Sequence, residues 1–298
     1  MNARLLFILL LFTIGALWYI IGYWRRKAGE AAFAAARLTE KSEERERYCR
    51  LAVMAGHRKA CRMFCLLHPE RFDGHSPHKP FKLRGIRISF YGYYYPSRYN
   101  ALLNDEQKAF CHSIYQFKQG DIHGIEFFKT CMNALQLKKR PYHIMFMPCS
   151  NWIKYGQRFK RLDWYIGKHR QDLTSGLYDV DICDARESLH EAKGGEKRIL
   201  ERNYLITGKI KGKEIIIIDD VLTTGQSVVD YKEEIERCGG KVVAAIFYGK
   251  TLSMPSMLLV QIHVWGNHIA HIIVTDDKVT GTFSALSLLF TTCLMLIY

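Results

Sequence analysis

The sequence predicts an α/β fold with a largely parallel sheet, preceded by a transmembrane helix and a short helical spacer. The chain opens with an uncharged apolar run at residues 5–24. After residue 80, strand-like and helix-like segments alternate, which is typical of parallel sheets covered by helices on both faces. One of these strands, at residues 215–218, is four isoleucines in succession, as expected of a central strand buried on both faces.

The composition is that of a folded protein with a real core. Of 298 residues, 48% are hydrophobic and 24% are charged, which excludes a fully disordered chain. The formal net charge is +14. The nine cysteines are odd in number and irregularly spaced, so we expect reduced thiols in a reducing compartment rather than a disulfide scaffold.

The apolar run at residues 5–24 is long enough to cross a bilayer. At about 1.5 Å per residue, about 20 helical residues span a hydrocarbon layer of roughly 30 Å. Arg25, Arg26 and Lys27 follow at once, so the positive-inside rule predicts a single-pass membrane protein with its main domain in the cytoplasm. A cleaved signal peptide and a buried core helix are the alternatives, and we favour the uncleaved anchor.

Two further segments bear on the membrane. Residues 280–298 are again uncharged, and the sequence leaves open whether they form a second span or a packed helix. Residues 25–87 carry 16 basic and 7 acidic side chains. We expect them to be attracted to an anionic leaflet, and nucleic-acid binding is the less favoured alternative.

The pattern divides the chain into four parts. We assign the membrane anchor to residues 1–27, a helical spacer and linker to 28–80, the α/β domain to 81–255, and a C-terminal extension to 256–298. In the spacer, residues 48–64 resemble one unit of a Sel1-type helical hairpin that turns at Gly56 and His57. A metal site on nearby cysteines and histidines is disfavoured, because no CxxC pair supports it.

The α/β domain predicts elements in a regular order. Helices are expected at residues 105–118, 121–137, 155–171 and 227–238, and strands at 142–147, 177–182, 215–218 and 242–248. Gly239 and Gly240 are expected to end the last of these helices. Beyond the domain, His263, His268 and His271 fit either a ligand site or a partly buried strand and turn, and we favour the latter.

The most informative stretch is EIIIIDDVLTTGQSVVDY at residues 214–231. Asp219 and Asp220 follow the isoleucine strand at its carboxyl end, where open α/β sheets bind their ligands. A short loop then leads into a helix whose first N–H groups attract an anion. Carboxylates beside a phosphate cradle suit a ligand with a phosphate and sugar hydroxyls, and help to hold a divalent cation. No P-loop or GxGxxG motif is present.

This stretch resembles the phosphoribosyl-pyrophosphate (PRPP) motif of type I phosphoribosyltransferases, specifically their ComF-like branch. Residues 115–118, 147–150 and 155–159 resemble the segments of that branch that lie upstream, so the resemblance covers residues 90–251. It implies a phosphoribosyltransferase fold that binds Mg²⁺ and PRPP and transfers the phosphoribosyl group, with release of pyrophosphate, to an unknown small-molecule acceptor.

The resemblance also implies a role for each matched residue. Asp219 and Asp220 would be catalytic and hold the ribose hydroxyls, directly or through Mg²⁺. The 5′-phosphate would be bound by Thr223, Thr224, Gly225, Gln226 and Ser227. Pyrophosphate would contact Pro148, Cys149, Ser150 and Asn151, together with Lys193 and Arg198 from a mobile loop at residues 186–203.

Departures from the family pattern leave two other functions open. Some purine-specific members carry an acidic residue where Thr223 stands, so that acceptor chemistry is not implied. A non-catalytic module that senses PRPP or a nucleotide is one alternative, and an accessory factor in membrane-linked DNA uptake is the other. The acceptor and the oligomeric state, including a homodimer, are not determined by the sequence.

Overall fold

A computed structural model describes residues 3–122, 124–182 and 203–275, and it confirms the α/β fold class. The described helices are α1 (Ala3–Leu38), α2 (Ser42–Met54), α3 (Arg58–Leu67), α4 (Pro69–Asp73), α5 (Asp105–Gln119), α6 (Ile125–Leu135), α7 (Trp152–His169), α8 (Gln226–Arg237) and α9 (Met257–Thr275). The described strands are β1 (Phe81–Leu83), β2 (Ile86–Tyr94), β3 (Tyr142–Phe146), β4 (Leu173–Ser175), β5 (Val180–Ile182), β6 (Tyr204–Ile206), β7 (Glu214–Leu222) and β8 (Lys241–Thr251).

The chain forms two compact units. One comprises residues 69–253 and carries the sheet, and the other comprises residues 1–68 with 254–298. The domain boundaries assigned from the sequence, at residues 80/81 and 255/256, stay predictions. The α/β unit contains the motif at residues 214–231 and is described first.

The main sheet of the α/β unit has six strands in the order β1-β2-β8-β7-β3-β4. All neighbours are parallel except β1, which pairs antiparallel with β2 at the edge. β7 lies between β3 and β8, so the isoleucines at residues 215–218 are surrounded by sheet and fully buried. The predicted central strand is thus confirmed, and it extends through both aspartates to Leu222.

Helices cover both faces of this sheet. Because parallel crossovers are right-handed, α5, α6 and α7 lie on one face and α8 lies on the other. Phe117 of α5 makes edge contacts with Phe127 of α6 and Phe159 of α7, at centroid distances of 5.3 and 6.0 Å. The four helices predicted for this region are confirmed to within a few residues, and α8 ends just before Gly239, which has a φ of +85°.

Two smaller features complete the unit. Strands β5 and β6 pair antiparallel as a separate two-stranded sheet, with Ile182 opposite Tyr204. The breaker-rich stretch at residues 72–80 packs onto the main sheet: Asp73 is buried against Lys250 of β8, and the ring of His75 stacks on Phe81 at 3.8 Å.

The other unit consists of helices among the residues described. α1 is 36 residues long, about 54 Å at 1.5 Å per residue. Its apolar segment has a mean hydropathy of 2.2 and is not buried, so α1 is long and apolar enough to cross a membrane. Toward its C-terminal end, Phe33 and Ala36 are buried where α1 packs on α2. A turn between two helices at this point is confirmed, because α2 and α3 meet at Gly56, which has a φ of +85°. The resemblance to a Sel1-type unit stays a prediction.

The sequence interpretation of residues 263–271 as a strand and turn is wrong. These residues lie in α9, where Val260 and Val264 are buried and the Gln261 side chain donates to the Val53 carbonyl. His263 lies 3.0 Å from the Asn267 amide on the same helix. The buried residues Val260 and Val264 are four positions apart, which is the spacing of one face of a helix. The proposed second span at residues 280–298 lies outside the described residues, as does the side chain of His271.

Candidate functional site

The predicted carboxylate pair lies at the carboxyl end of β7, the strand between β3 and β8. The side chains of Asp219 and Asp220 are 16% and 9% exposed. Each carboxylate also accepts a backbone hydrogen bond: Asp219 Oδ1 from the Asp220 N–H at 2.7 Å, and Asp220 Oδ1 from the Val221 N–H at 2.6 Å. These bonds fix both carboxylates at the rim of the sheet, where ligands of α/β proteins bind.

Two cations from the neighbouring helices contact this pair. Arg158 of α7 places Nη1 2.9 Å from Asp220 Oδ2 and 3.7 Å from Asp219 Oδ1. Lys118 of α5 places Nζ 3.3 Å from the same Asp220 oxygen. Both residues lie in segments quoted for the family resemblance, but the sequence did not predict their contact with the aspartates. Within the described part of the chain, Arg158 Nε is buried and makes no hydrogen bond, so it is an available donor at the site.

The electrostatics of the pair are unusual. Burial raises the pKa of Asp219 above its ordinary value, and the neighbouring charge of Asp220 raises it further. Arg158 and Lys118 act in the opposite direction by favouring the charged form. The effect of burial and of Asp220 on the pKa of Asp219 therefore outweighs that of the two cations, and an additional cation or hydroxyl donor would favour the ionised form of Asp219.

The loop after β7 has the features of an anion site. Gly225 precedes α8 with a φ of +77°, which favours glycine, and as the N-cap residue it offers no side chain to the helix. Thr224 Oγ1 accepts from the Gln226 N–H at 3.4 Å. α8 has no acidic residue in its first turn, so its N-terminal dipole is uncompensated there. Thr223, Thr224 and Ser227 are exposed around it. The structure thus brings hydroxyls and helix amides together beside the carboxylate pair.

A cation that the sequence analysis missed lies at the same loop. Arg84, in the turn between β1 and β2, donates from Nη1 to Gln226 Oε1 at 2.5 Å. Gln226 Nε2 in turn donates to Asp230 Oδ1 at 2.6 Å. Arg84 is exposed and adopts a φ of +46°. It was missed because 142 residues separate it from its partner, and a lone arginine in a turn gives no signal of that contact.

The loop at residues 148–151 runs from β3 to α7, beside β7. The Met147 N–H donates to the Ile218 carbonyl at 2.9 Å, which places this loop next to the carboxylates. Asn151 uses its side chain to cap α7, accepting from the Lys154 N–H at 2.9 Å. Burial raises the pKa of Cys149 to about 12, so its thiol stays protonated.

Asn203 is a second contact of this loop. Its Nδ2 donates to the carbonyls of Cys149 and Ser150 at 3.3 and 3.4 Å, which joins the start of β6 to the loop. Asn203 is the last residue of the predicted mobile loop, whereas residues 186–202, which include Lys193 and Arg198, lie outside the described residues. Their predicted contact with pyrophosphate stays a prediction.

A buried histidine lies further from the rim. His143 of β3 places Nε2 2.6 Å from Asp179 Oδ2 and Nδ1 2.7 Å from Thr174 Oγ1. Burial lowers the pKa of His143, which favours its neutral form. A Cβ on Gly176 would lie 2.6 Å from this ring, so the segment passes too closely to carry a side chain. The hydrogen bonds of His143 therefore join β3 to β4 and to the segment before β5.

Comparison with known proteins agrees with this geometry. A family model described as a phosphoribosyl transferase domain matches residues 171–251, which include the carboxylate pair and the loop after β7. The chain is also similar to the orotate phosphoribosyltransferase of Sulfolobus acidocaldarius, at 42% identity over 57 residues, or 19% of this chain and 26% of the relative. The chain thus spans about a quarter of the length of the curated relative that it matches. A phosphoribosyltransferase domain is present over this part of the chain, and assignment to the ComF-like branch stays a prediction.

Proposed function

We propose that the protein is a membrane-anchored phosphoribosyltransferase that binds PRPP and transfers its phosphoribosyl group to an acceptor, releasing pyrophosphate. One observation carries the proposal. Two largely buried carboxylates lie near the end of the central strand, just before a loop whose hydroxyls and helix amides suit a phosphate. A sugar phosphate offers its hydroxyls to the two carboxylates and its phosphate to the loop.

Each part of the site would then have one task. Thr223, Thr224, Gly225, Gln226 and Ser227 would bind the 5′-phosphate, with Arg84 adding charge beside Gln226. Asp219 and Asp220 would accept hydrogen bonds from the ribose hydroxyls. Pyrophosphate would be bound by Pro148, Cys149, Ser150, Asn151, Lys193 and Arg198.

Mg²⁺ fits this donor set only together with the substrate. Among the described residues, no group of three or more acidic, histidine or cysteine side chains forms a metal cage. Mg²⁺ is commonly bound by one or two carboxylates plus substrate phosphates, which matches Asp219 and Asp220 beside a pyrophosphate ester. When bound, it would neutralise charge on the departing pyrophosphate.

The chain's own residues would favour the transfer electrostatically. Bond breaking between C1 of the ribose and the pyrophosphate oxygen leaves positive charge on the sugar. Carboxylate charge near the ribose would stabilise that positive charge, and Arg158 and Lys118 favour the ionised form of Asp219 against the effect of its burial. The new bond forms between C1 and the acceptor, and the electron pair of the broken bond leaves with pyrophosphate.

The membrane anchor is the second part of the proposal. The apolar segment of α1 is unburied, and three basic residues follow its aromatic end at residues 25–27. We propose that α1 spans a membrane in contact with lipid and that the α/β unit lies in the cytoplasm. Mass spectrometry of the mature chain in the membrane fraction tests this: an N-terminus beyond residue 20 would contradict it.

PRPP binding tests the enzymatic part. PRPP and Mg²⁺ are titrated into the full chain in detergent micelles, followed by calorimetry. We expect saturable binding that Asp219→Asn/Asp220→Asn weakens by at least tenfold, while Asp181→Asn, on an exposed position of β5, leaves it unchanged. Absence of binding by the wild type, or equal binding by the double variant, would refute the proposal.

A sensor without transferase activity is the second candidate. Thr223 stands where some purine-specific members of the family carry an acidic residue, so this loop offers no residue for that acceptor chemistry. Pyrophosphate release in the presence of a panel of nucleobases separates the two candidates. Turnover that disappears in Asp219→Asn/Asp220→Asn would exclude a pure sensor, and binding without any turnover would favour it.

A further inference from the structure

The turn between α2 and α3 contacts α1 at the point where the apolar run of α1 ends. Arg25 is the first residue after that run, and its Nη2 donates to the carbonyl of Met54, the last residue of α2, at 3.1 Å. One helical turn further along α1, a Cβ on Gly29 would lie 3.0 Å from the Ala55 Cβ, so α1 and the turn are in close contact. If α1 crosses a membrane as proposed, the turn at residues 55–57 lies at the level of the lipid headgroups.

The C-terminal helix α9 reaches the same turn. Gln261 Nε2 donates to the Val53 carbonyl at 3.4 Å. A Cβ on Gly56 would lie 3.5 Å from Gln261 Nε2 and 3.9 Å from Arg25 Nη2, so the side chains from α9 and α1 meet at this glycine. Residues within one turn of Gln261 are at most about 5 Å from it along the helix axis. This part of α9 therefore lies at the level of Arg25.

The face of α9 that points away from α2 and α3 is apolar. Val260 and Val264 are buried where α9 packs on those two helices. Leu258, Leu259 and Ile262 are between 43% and 56% exposed, and at 3.6 residues per turn they lie on the side of the helix opposite the two valines. No charged side chain interrupts the 19 residues of α9. A contiguous apolar surface of this kind indicates contact with another apolar phase.

Basic side chains surround the apolar face of α9. Residues 25–27 are all basic and exposed, and so are Arg58 and Lys59, which follow the turn at the start of α3. Lys27 contacts Glu30 at 3.3 Å, but both side chains are more than half exposed, so this pair is weak. A basic cluster next to an apolar helix face is the combination that binds an anionic bilayer surface.

We infer that α9 lies in the bilayer surface beside α1, with its apolar face among the lipid acyl chains and the basic cluster on anionic headgroups. The inference rests on the proposed membrane anchor. Lipid is the occupant that both observations favour, because the apolar face lies where α1 leaves the membrane and its surroundings complement an anionic leaflet. The helical unit would then be attached through a spanning helix and an interfacial helix, and the second attachment would restrict rotation about α1.

Site-specific photocrosslinking of the full chain tests this inference. The probe p-benzoylphenylalanine replaces Ile262, and the protein is reconstituted in nanodiscs of phosphatidylcholine and phosphatidylglycerol. After irradiation, mass spectrometry identifies what the probe has captured, and we expect a lipid adduct. The matched negative control is the same probe at Leu38, which is 84% exposed and lies about 21 Å past Trp24 along α1. The probe at Leu17, an exposed residue of the apolar run, tests the anchor itself.

Paired substitutions test whether the apolar character of the face matters. With the probe at Leu258, Leu259→Glu/Ile262→Glu should abolish the lipid adduct, because carboxylates are costly to place among acyl chains. Leu259→Met/Ile262→Met keeps the face apolar and should retain the adduct. Both pairs are at exposed positions, so neither disturbs the packing of α9 on α2 and α3.

The outcomes separate this inference from the proposed anchor. Lipid adducts at position 17 without any at position 262 would overturn the inference and leave the anchor in place. So would a probe at 262 that captures only protein, whether the same chain or a second copy, a lipid adduct at position 38, or an adduct at 258 that the glutamate pair leaves intact. Absence of lipid adducts at position 17 would refute the anchor, and the interfacial role of α9 would fail with it. Adducts at 17 and 262, with loss at 258 in the glutamate pair alone, support both.

Discussion

Replacing Arg158 by methionine tests the electrostatic account of the site most directly. Arg158 Nη1 lies 2.9 Å from Asp220 Oδ2, and the two side chains are 16% and 9% exposed. Coulomb attraction at that distance is roughly 5–6 kcal/mol at an effective dielectric constant of about 20. Much of this offsets the desolvation of the ions. We therefore expect Arg158→Met to lower the free energy of unfolding by about 2–4 kcal/mol, because it leaves a buried charge less compensated.

The loss should depend on pH in a known direction. The pKa of Asp219 is raised in the folded protein, so folding is favoured below the ordinary aspartate range and becomes less favoured as pH rises through the raised value. Removing Arg158 raises that pKa further. The deficit of the variant should thus be larger at pH 8.5 than at pH 5.5, where protonation of Asp219 removes the repulsion.

Thermal melts of the full chain in detergent, followed by circular dichroism, measure this effect. For a unit of this size, about 2–4 kcal/mol corresponds to a fall in Tm of roughly 5–15 °C. Lys160→Met, at an exposed position of the same helix, should change Tm by at most 1–2 °C, roughly the effect of a surface substitution. Asp220→Asn added to Arg158→Met should recover part of the loss. An Arg158→Met variant as stable as the wild type at both pH values would refute the reasoning.

Three other predictions concern groups that the structure brings together over long stretches of chain. Arg84→Ala should weaken PRPP binding about three- to tenfold, because one cation beside the 5′-phosphate loop is lost, and titration calorimetry showing unchanged affinity would exclude that role. Lys250→Met should cost about 3–5 kcal/mol of unfolding free energy in urea denaturation, since it leaves Asp73 buried without its partner. Lys250→Met/Asp73→Leu should restore most of it, and a double variant no better than the single one would contradict this account. His143 has a lowered pKa in the folded protein, so the stability it contributes should be lost as pH falls through its ordinary range near 6.5. His143→Gln should flatten that acid dependence, and an identical pH profile in both proteins would show that another group titrates.

The parts of the fold that the sequence predicts well are those specified within one short segment. Residues 214–231 contain the buried strand, the carboxylates, the loop and the helix start, so local rules suffice to place them. The helices α5 to α8 were likewise predictable from their own periodicity. Strands β1, β4 and β6 were not predicted, because each is only three residues long. Strand β2 was not predicted either, although its isoleucines, phenylalanine and tyrosines favour a strand.

The missed contacts of the site all join residues far apart in sequence. Arg158 of α7 reaches Asp220 of β7, and Arg84 reaches Gln226 from a hairpin turn. Outside the site, Lys250 reaches Asp73 across nearly the whole unit. A charged residue in each of these positions is compatible with a solvated surface. Only the packing of α5 and α7 on one face of the sheet shows that Lys118 and Arg158 point to the same carboxylate.

The internal counter-ions of Asp220 change what ligand entry involves. The carboxylate of Asp220 is not an unpaired negative charge, since the ammonium group of Lys118 and the guanidinium group of Arg158 already contact it. A ligand that engages this oxygen competes with Lys118 and Arg158 for it, so ligand entry involves an exchange of partners at Asp220. A ligand that displaces Lys118 would free an ammonium group that also lines a cavity between α5 and the segment after β2.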